Sequence, residues 1–182
     1  MDVADLHVIG RHNQANACAA TAVASLLGVA AEPIRAALAS YRALEHRMED
    51  CGEVNGVRCI NDSKATNIGA TIAALEGLAP TIQGKLILIA GGDAKGADIA
   101  SLSPYLTKYV SHVFALGKDA HLFDKSFAHT TRVATMKDAV KAATRLAAPC
   151  DVVLLSPACA SLDMFKNYMH RGDVFKQDVH DL

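Results

Sequence analysis

Four short apolar runs constrain the fold of this chain more than any other feature: Val57–Ile60, Lys85–Ala90, His112–Leu116 and Asp151–Leu155. Each has the length of one strand and is bounded by glycine, proline or a polar cluster. The segments between them carry helical periodicity, as in 136–147, where Met136, Ala139, Val140, Ala143 and Leu146 share one face. Buried strands alternating with amphipathic helices predict an α/β fold: a Rossmann-like, mainly parallel, doubly wound sheet. The remaining helices are expected over 68–79, 98–110 (with Pro104 at a turn or kink), 118–125 and 160–171, the last running into a polar tail. A short strand is expected over 130–134. Ahead of this unit, Met48–Val54 and Val57–Asn61 read as an antiparallel hairpin, because Asn55-Gly56 supplies the two positive-φ residues of a tight turn. Helices are expected over 12–30 and 32–40.

With 182 residues the chain suits one full domain and part of a second. The first forty residues cannot build a core of their own, and a boundary falls near 41–46. A formal net charge of −1 provides no basic surface for nucleic acid. The apolar runs are too short for membrane insertion. Met1–Leu6 lacks the basic-then-apolar pattern of a signal peptide. Cys18, Cys51, Cys59, Cys150 and Cys159 are odd in number and form no C-x-x-C pair. That fits a reducing cytoplasm better than a disulfide framework or structural zinc. The histidines are dispersed, without H-x-H or H-x-x-x-H spacing, so no metal site made wholly from this chain is expected.

Three strand ends carry unusual polar content: Asn61-Asp62-Ser63-Lys64-Ala65-Thr66-Asn67, Gly91-Gly92-Asp93-Ala94-Lys95-Gly96 and Ser156-Pro157-Ala158-Cys159-Ala160-Ser161-Leu162-Asp163. In a parallel sheet these ends share the edge where open α/β sheets bind ligands. Lysines from two loops and hydroxyls from a third suit a small dianion, with helix N-termini adding N–H donors. Each set alone also reads as a helix cap, since Asp62, Ser63, Ser161 and Asp163 are good capping residues. Their coincidence on one edge favours a binding site. Gly91-Gly92 is neither a phosphate loop nor a dinucleotide fingerprint, and such a pair most often only makes a turn. Asn13 and Asn16 share a helix face and suit a purine edge, or else form a cap with a solvated neighbour. Arg47 suits a phosphate clamp or a plain surface position. Cys159 reads as a buried structural thiol rather than a nucleophile.

The Asn61–Asn67 motif, the Leu155–Asp163 motif and the step His46-Arg47-Met48-Glu49 resemble the D-glutamate-adding branch of the Mur ligase family, over nearly the whole chain. The resemblance implies ATP-dependent peptide-bond formation in peptidoglycan precursor synthesis, and with it a part in cell shape and division. ATP phosphorylates the carboxylate of UDP-N-acetylmuramoyl-L-alanine; the D-glutamate amine then attacks the acyl phosphate, with Mg2+ neutralising the phosphates. It implies that Asn13 and Asn16 contact adenine, Arg47 an ATP phosphate and Asp62 the ribose, with Lys64 on the nucleotide and acyl-phosphate side. It implies that Thr66, Lys95 and Ser161 hold D-glutamate carboxylates, that Leu162 adds a backbone contact, and that Asp93 orients Lys95. Tyr168 falls where the family packs an aromatic ring.

On the same resemblance, residues 1–42 are a helical remnant of the central ATP-binding domain and 43–182 the C-terminal domain. The uridine-binding domain, the phosphate loop, the metal ligands and the carbamylated lysine are then expected outside this chain, with Met1 an engineered start. Alone, the chain is expected neither to hydrolyse ATP nor to form the peptide bond. Its leading helices are expected to self-associate or be disordered, and 41–46 to act as a hinge. Two alternatives stand beside this reading: a stand-alone α/β module for a small acid or nucleotide, and a folylpolyglutamate synthetase-like ligase of the same architecture but a different strand-end motif.

Overall fold

The computed structural model describes residues 6, 7 and 10–182. Helices α1 (Arg11–Leu26) and α2 (Ala31–Ser40) precede the hairpin β1 (Glu49–Val54) and β2 (Val57–Asn61). There follow α3 (Ile68–Leu78), β3 (Leu86–Gly91), α4 (Ser103–Tyr109), β4 (His112–Leu116), α5 (His121–Ser126), β5 (Thr130–Arg132), α6 (Met136–Leu146), β6 (Val152–Leu155) and α7 (Tyr168–His180). The six strands form one sheet in the order β1-β2-β6-β3-β4-β5. Only β1 and β2 pair antiparallel; β2–β6, β6–β3, β3–β4 and β4–β5 are parallel. The predicted fold class is therefore the observed one, and Asn55-Gly56 makes the hairpin turn with both residues at positive φ.

Period-two alternation divides the core into two layers. Ile60, Leu86, Leu88, Val113 and Leu154 face α3, α4 and α5, against Leu75, Leu78, Leu106 and Phe123. Cys59, Ile87, Ile89, Phe114, Val153 and Leu155 face α6 and α7, against Met136, Val140, Phe175 and Val179. Because both faces of β3 and β6 are covered, every residue of these strands is buried, which explains their unbroken apolar sequence. The connection leaving β2 packs on the first face and that leaving β6 on the second. The adjacent carboxyl ends of β2, β6 and β3 thus form the crevice of a topological switch point.

Several boundaries differ from expectation. The helix expected over 160–171 begins later: 161–167 is a run of turns, with Ser161 O accepting from Phe165 N at 2.8 Å. The helix is Tyr168–His180, and its buried stripe of Arg171, Phe175 and Val179 at four-residue spacing is what fixes it. Asn167, not Ser161 or Asp163, is its cap, accepting from His170 N at 2.8 Å. Likewise Asn67, not Asp62 or Ser63, caps α3. The segment 98–110 splits into a 3-10 turn, Ile99–Leu102, and α4, with Pro104 in the first turn of α4, where no N–H is needed. Leu146, expected on the buried face of α6, is exposed. Residues 1–5, 8 and 9 of the expected N-terminal remnant lie outside the described residues.

Helices α1 and α2 contact each other, and α1 rests against α3. Among their described residues no side chain is buried, and Leu26 is 87% exposed, with Val23, Leu27 and Val29 also open to solvent.

Candidate functional site

The loops after β2, β3 and β6 meet at the switch point and are bound directly to one another. Gly91 N donates to Pro157 O at 2.9 Å, and Asp93 and Ala160 exchange two backbone hydrogen bonds at 3.0 and 2.9 Å. Gly91 and Gly92 have φ of 113° and 128°. A Cβ on Gly91 would overlap Leu116 O, and one on Gly92 would overlap Ala160 O. The pair therefore does more than turn the chain: it lets the β3 loop lie against the neighbouring strand ends. Asp93 is thereby seated against Ala160, one residue before Ser161, with Lys95 two residues further along the same loop.

Arg171 closes the arrangement from beneath. It is 2% exposed, and its guanidinium reaches all three loops. Nε donates to Ser63 Oγ at 3.0 Å, Nη2 to Ser63 O at 2.9 Å, and Nη1 to Cys159 O at 3.1 Å and Gly91 O at 3.5 Å. Burial pulls its pKa down to about 10, still far above neutrality. A planar fork of donors suits one residue spanning three carbonyl-lined loops. Sequence reasoning missed Arg171, having placed it at the end of a helix when it begins the buried stripe of one. The signal was present in its four-residue spacing from Phe175 and Val179.

The β2 end is fixed by a second set of bonds. Asp62 is 8% exposed; Oδ1 accepts from Met48 N at 3.3 Å and Oδ2 from Ser156 Oγ at 3.0 Å. Burial, opposed by these bonds, pushes its carboxyl up to about 7. Asn61 Nδ2 lies 2.9 Å from Glu49 Oε2 and 3.0 Å from His46 Nδ1, while Asn61 Oδ1 accepts from Ser63 N at 3.1 Å. His46 is buried, its backbone N–H donates to Glu49 and its carbonyl accepts Lys64 N at 3.0 Å. His46, the last residue of the expected hinge 41–46, is thus tied to the β2 loop.

Arg47 is exposed, between His46 and Met48 at φ of 62° and 50°. Lys95 (φ 50°) and Ala158 (φ 60°) are also left-handed. Four of the six non-glycine residues with positive φ among the described residues thus lie in the candidate segments. Such strain collects where the chain must aim particular groups. Lys64 Nζ sits 4.0 Å from the centroid of the Tyr168 ring, a cation–π contact. Thr66 is half-buried, Ser161 buried and Leu162 exposed. Asp93 Oδ1 accepts Lys95 N at 2.9 Å, so Asp93 holds the Lys95 backbone. Its Oδ2 pairs instead with Lys118 Nζ at 3.3 Å, a residue of the β4 loop that sequence reasoning passed over.

Asn13 and Asn16 are on α1, away from these bonds. Asn16 Nδ2 lies 3.4 Å from Asn13 Oδ1, and both line a groove of about 310 Å³ with Ala17, Leu38 and Tyr41. The cap of α1 is Gly10, so Asn13 is not its cap. Cys159 is buried, and burial raises its thiol to about 12, an inert thiol as expected. Among the described residues no three His, Cys, Asp or Glu side chains converge as a metal site. No helix among them is long and apolar enough to cross a membrane.

The family model described as "Mur ligase, glutamate ligase domain" matches residues 46–159. All of this chain aligns, at 49% identity, with 41% of a UDP-N-acetylmuramoylalanine–D-glutamate ligase of Pseudomonas savastanoi pv. phaseolicola. The chain thus spans well under half the length of that relative. Its fold is shared with the crystal structure of the UDP-N-acetylmuramate-alanine ligase MurC from Thermotoga maritima, at a TM-score of 0.70 and 16% identity, over 97% of this chain and 39% of that one. It is shared also with a Mycobacterium tuberculosis folylpolyglutamate synthase complexed with ADP and AMPPCP, at a TM-score of 0.70 and 15% identity, over 95% and 41% of the two chains.

Proposed function

The chain belongs to the Mur ligase family through its glutamate ligase domain, and from that premise we propose that it is the D-glutamate-presenting part of an ATP-dependent ligase. The ligase joins D-glutamate to UDP-N-acetylmuramoyl-L-alanine in the cytoplasmic steps of peptidoglycan precursor synthesis. The observation that carries this reading is the convergence of the Thr66, Lys95 and Ser161 loops on one edge, cross-linked by Arg171 and the Asp93–Ala160 bridge.

An amino dicarboxylic acid needs cations and hydroxyls at fixed separations. Lys95 supplies an exposed ammonium on a turn whose amide is bound by Asp93. Thr66 and Ser161 supply hydroxyls from the neighbouring strand ends, and Leu162 the backbone beside Ser161. The Tyr168 ring, with Lys64 over it, forms the wall. Such pre-set donors contribute by orienting the amine for attack.

On the nucleotide side, Asn13 and Asn16 line a groove of about 310 Å³ with Tyr41, suited to adenine. Asp62 is a fixed acceptor for ribose hydroxyls, Arg47 an exposed donor for phosphate and Lys64 a cation between the two ligands. ATP activates the acceptor carboxylate as an acyl phosphate. Mg2+ is assigned mainly to the domains outside this chain, as are the UDP-linked substrate and the remainder of the ATP site. On this reading residues 1–42 belong to the central domain, 43–182 form the C-terminal domain, and the chain alone is inactive.

The test is phosphate release by the full-length gene product with ATP, Mg2+ and UDP-N-acetylmuramoyl-L-alanine. Release should require D-glutamate, not L-glutamate, and Lys95→Ala should abolish the D-glutamate dependence. Release indifferent to the amino acid added would refute the assignment.

A further inference from the structure

The loop after β4, Gly117-Lys118-Asp119, has no part in the function proposed above, yet it is bound to both halves of the amino-acid site. Lys118 N donates to Asp163 Oδ2 at 2.8 Å, two residues beyond Ser161. Lys118 Nζ pairs with Asp93 Oδ2 at 3.3 Å, and Asp93 Oδ1 takes the Lys95 N–H. Asp119 adds two bonds to the same turn: its N–H donates to Gly92 O at 3.0 Å and its Oδ2 accepts Ala94 N at 2.8 Å. Gly117 is pressed against Asp163 Oδ2 and Gly92, with only 2.8 Å from an added Cβ to Gly92 Cα.

We propose that Lys118 is a positioning residue for Lys95, acting through Asp93. The inference deepens the D-glutamate reading and rests on it for its kinetic consequence, though not for its structural one. Lys95 sits at φ 50°, a conformation a lysine does not hold unaided. Asp119 holds the start of its turn, and the Lys95 amide itself is held by the Asp93 carboxylate, which has two rotamer-setting partners: the Lys95 amide on one oxygen and the Lys118 ammonium on the other. Without Lys118, Asp93 is free to rotate toward water, and the Lys95 ammonium is spread over more positions. Lys118 is 61% exposed on its side chain, so the pair is screened by solvent and adds little to global stability. Its effect falls on the local geometry of the turn. The backbone bond to Asp163 does not involve the side chain, so a substitution at 118 separates the two links.

Two measurements test this. In the 182-residue chain, Lys118→Met should speed amide hydrogen exchange at Lys95 several-fold while leaving the amide of residue 118 itself protected, and Lys118→Arg should restore it. An unchanged Lys95 amide overturns the inference, whatever the function. In the full-length gene product, Lys118→Met should raise KM for D-glutamate roughly three- to tenfold, with kcat and KM for ATP within twofold. Added to Asp93→Asn, it should have no further effect. A full additional rise in that background would show that Lys118 acts other than through Asp93, and would overturn the inference. If the Lys95 amide responds but no D-glutamate-dependent release is found in the parent enzyme, the functional reading fails while the Lys118–Asp93–Lys95 link stands.

Discussion

Gly172 lies within α7, where replacing glycine by alanine ordinarily stabilises a helix by about 1 kcal/mol. The structure gives the opposite sign. A Cβ there would overlap Nδ1 of His46 and stand 2.9 Å from Asn61 Nδ2 and 3.0 Å from His46 Cε1. Neither neighbour can retreat cheaply. His46 is buried, bonded through its ring to Asn61 at 3.0 Å and through its backbone to Glu49 and Lys64. Asn61 is held by Glu49 and by Ser63 N. Overpacking a site of this kind costs about 1–3 kcal/mol, and breaking the Asn61–His46 bond about 1 more. Against the helical gain, Gly172→Ala should destabilise the chain by about 2 kcal/mol. With a urea m-value of about 2 kcal/mol/M for a domain of this size, the midpoint should fall by about 1 M at unchanged slope. Gly69→Ala in α3 is the control, since its Cβ meets only Asn67 Oδ1 at an ordinary 3.5 Å; it should be neutral or gain up to about 1 kcal/mol. Adding His46→Ala to Gly172→Ala should cost less than the two single changes together. If Gly172→Ala unfolds at or above the parent midpoint, the close approach of α7 to the β2 end is not as described.

Asp62 offers a prediction in pH. Burial raises its folded carboxyl to about 7 from an ordinary 3.8, so the fold favours its protonated form. That stabilisation is complete below 3.8 and is lost as pH rises to about 7. Over this window it amounts to about 4 kcal/mol at most, since each tenfold change in proton affinity is worth about 1.4 kcal/mol. Asp62→Asn stays neutral; its Oδ1 keeps the acceptor for Met48 N, and its Nδ2 donates to Ser156 Oγ, whose own proton turns to Thr71 Oγ1. It should be more stable than the parent at pH 8, with the advantage shrinking toward pH 4; parallel urea midpoints at all pH values would dismiss the account. Arg171→Met strands the carbonyls of Ser63, Cys159 and Gly91, and should cost about 2–4 kcal/mol even after the desolvated charge is removed. Arg171→Lys should recover less than half of this, because an ammonium cannot span three loops; a midpoint for Arg171→Met equal to the parent's would refute that role.

The sheet was legible because its signal is repetitive. Runs such as Leu86–Ala90 and Val152–Leu155 must be apolar on both faces, and only a covered parallel sheet demands that. The strand ends were legible because Asn61–Asn67 places charge where such sheets bind ligands. What escaped was set by tertiary contact. Asp62 and Ser63 have the chemistry of caps, but their bonds run to Met48, Ser156, Tyr168 and Arg171, so the capping falls to Asn67. The apolar side chains of 162–168 imitate a helix, yet Leu162 and Met164 are exposed, and the true stripe begins at Arg171, a charge that conceals it. Lys118 gave no local signal at all: its partners Asp93 and Asp163 are remote in sequence and meet it only across the folded edge.

The place of β6 has a consequence for how the molecule forms. It is the last strand to be made, yet it stands between β2 and β3, pairing Arg58 with Val152 on one side and Leu86 with Val152 on the other. Without it the hairpin and the β3–β4–β5 unit share no ladder bond, and the inner edges of β2 and β3 are unpaired. During synthesis those edges stay open while the rest of the domain emerges. Closing the gap joins residues of large sequence separation, a topology that in general slows folding and leaves unpaired edges open to other chains. The same insertion brings the β2, β6 and β3 loops together, so the crevice at their carboxyl ends exists only once this strand is in place.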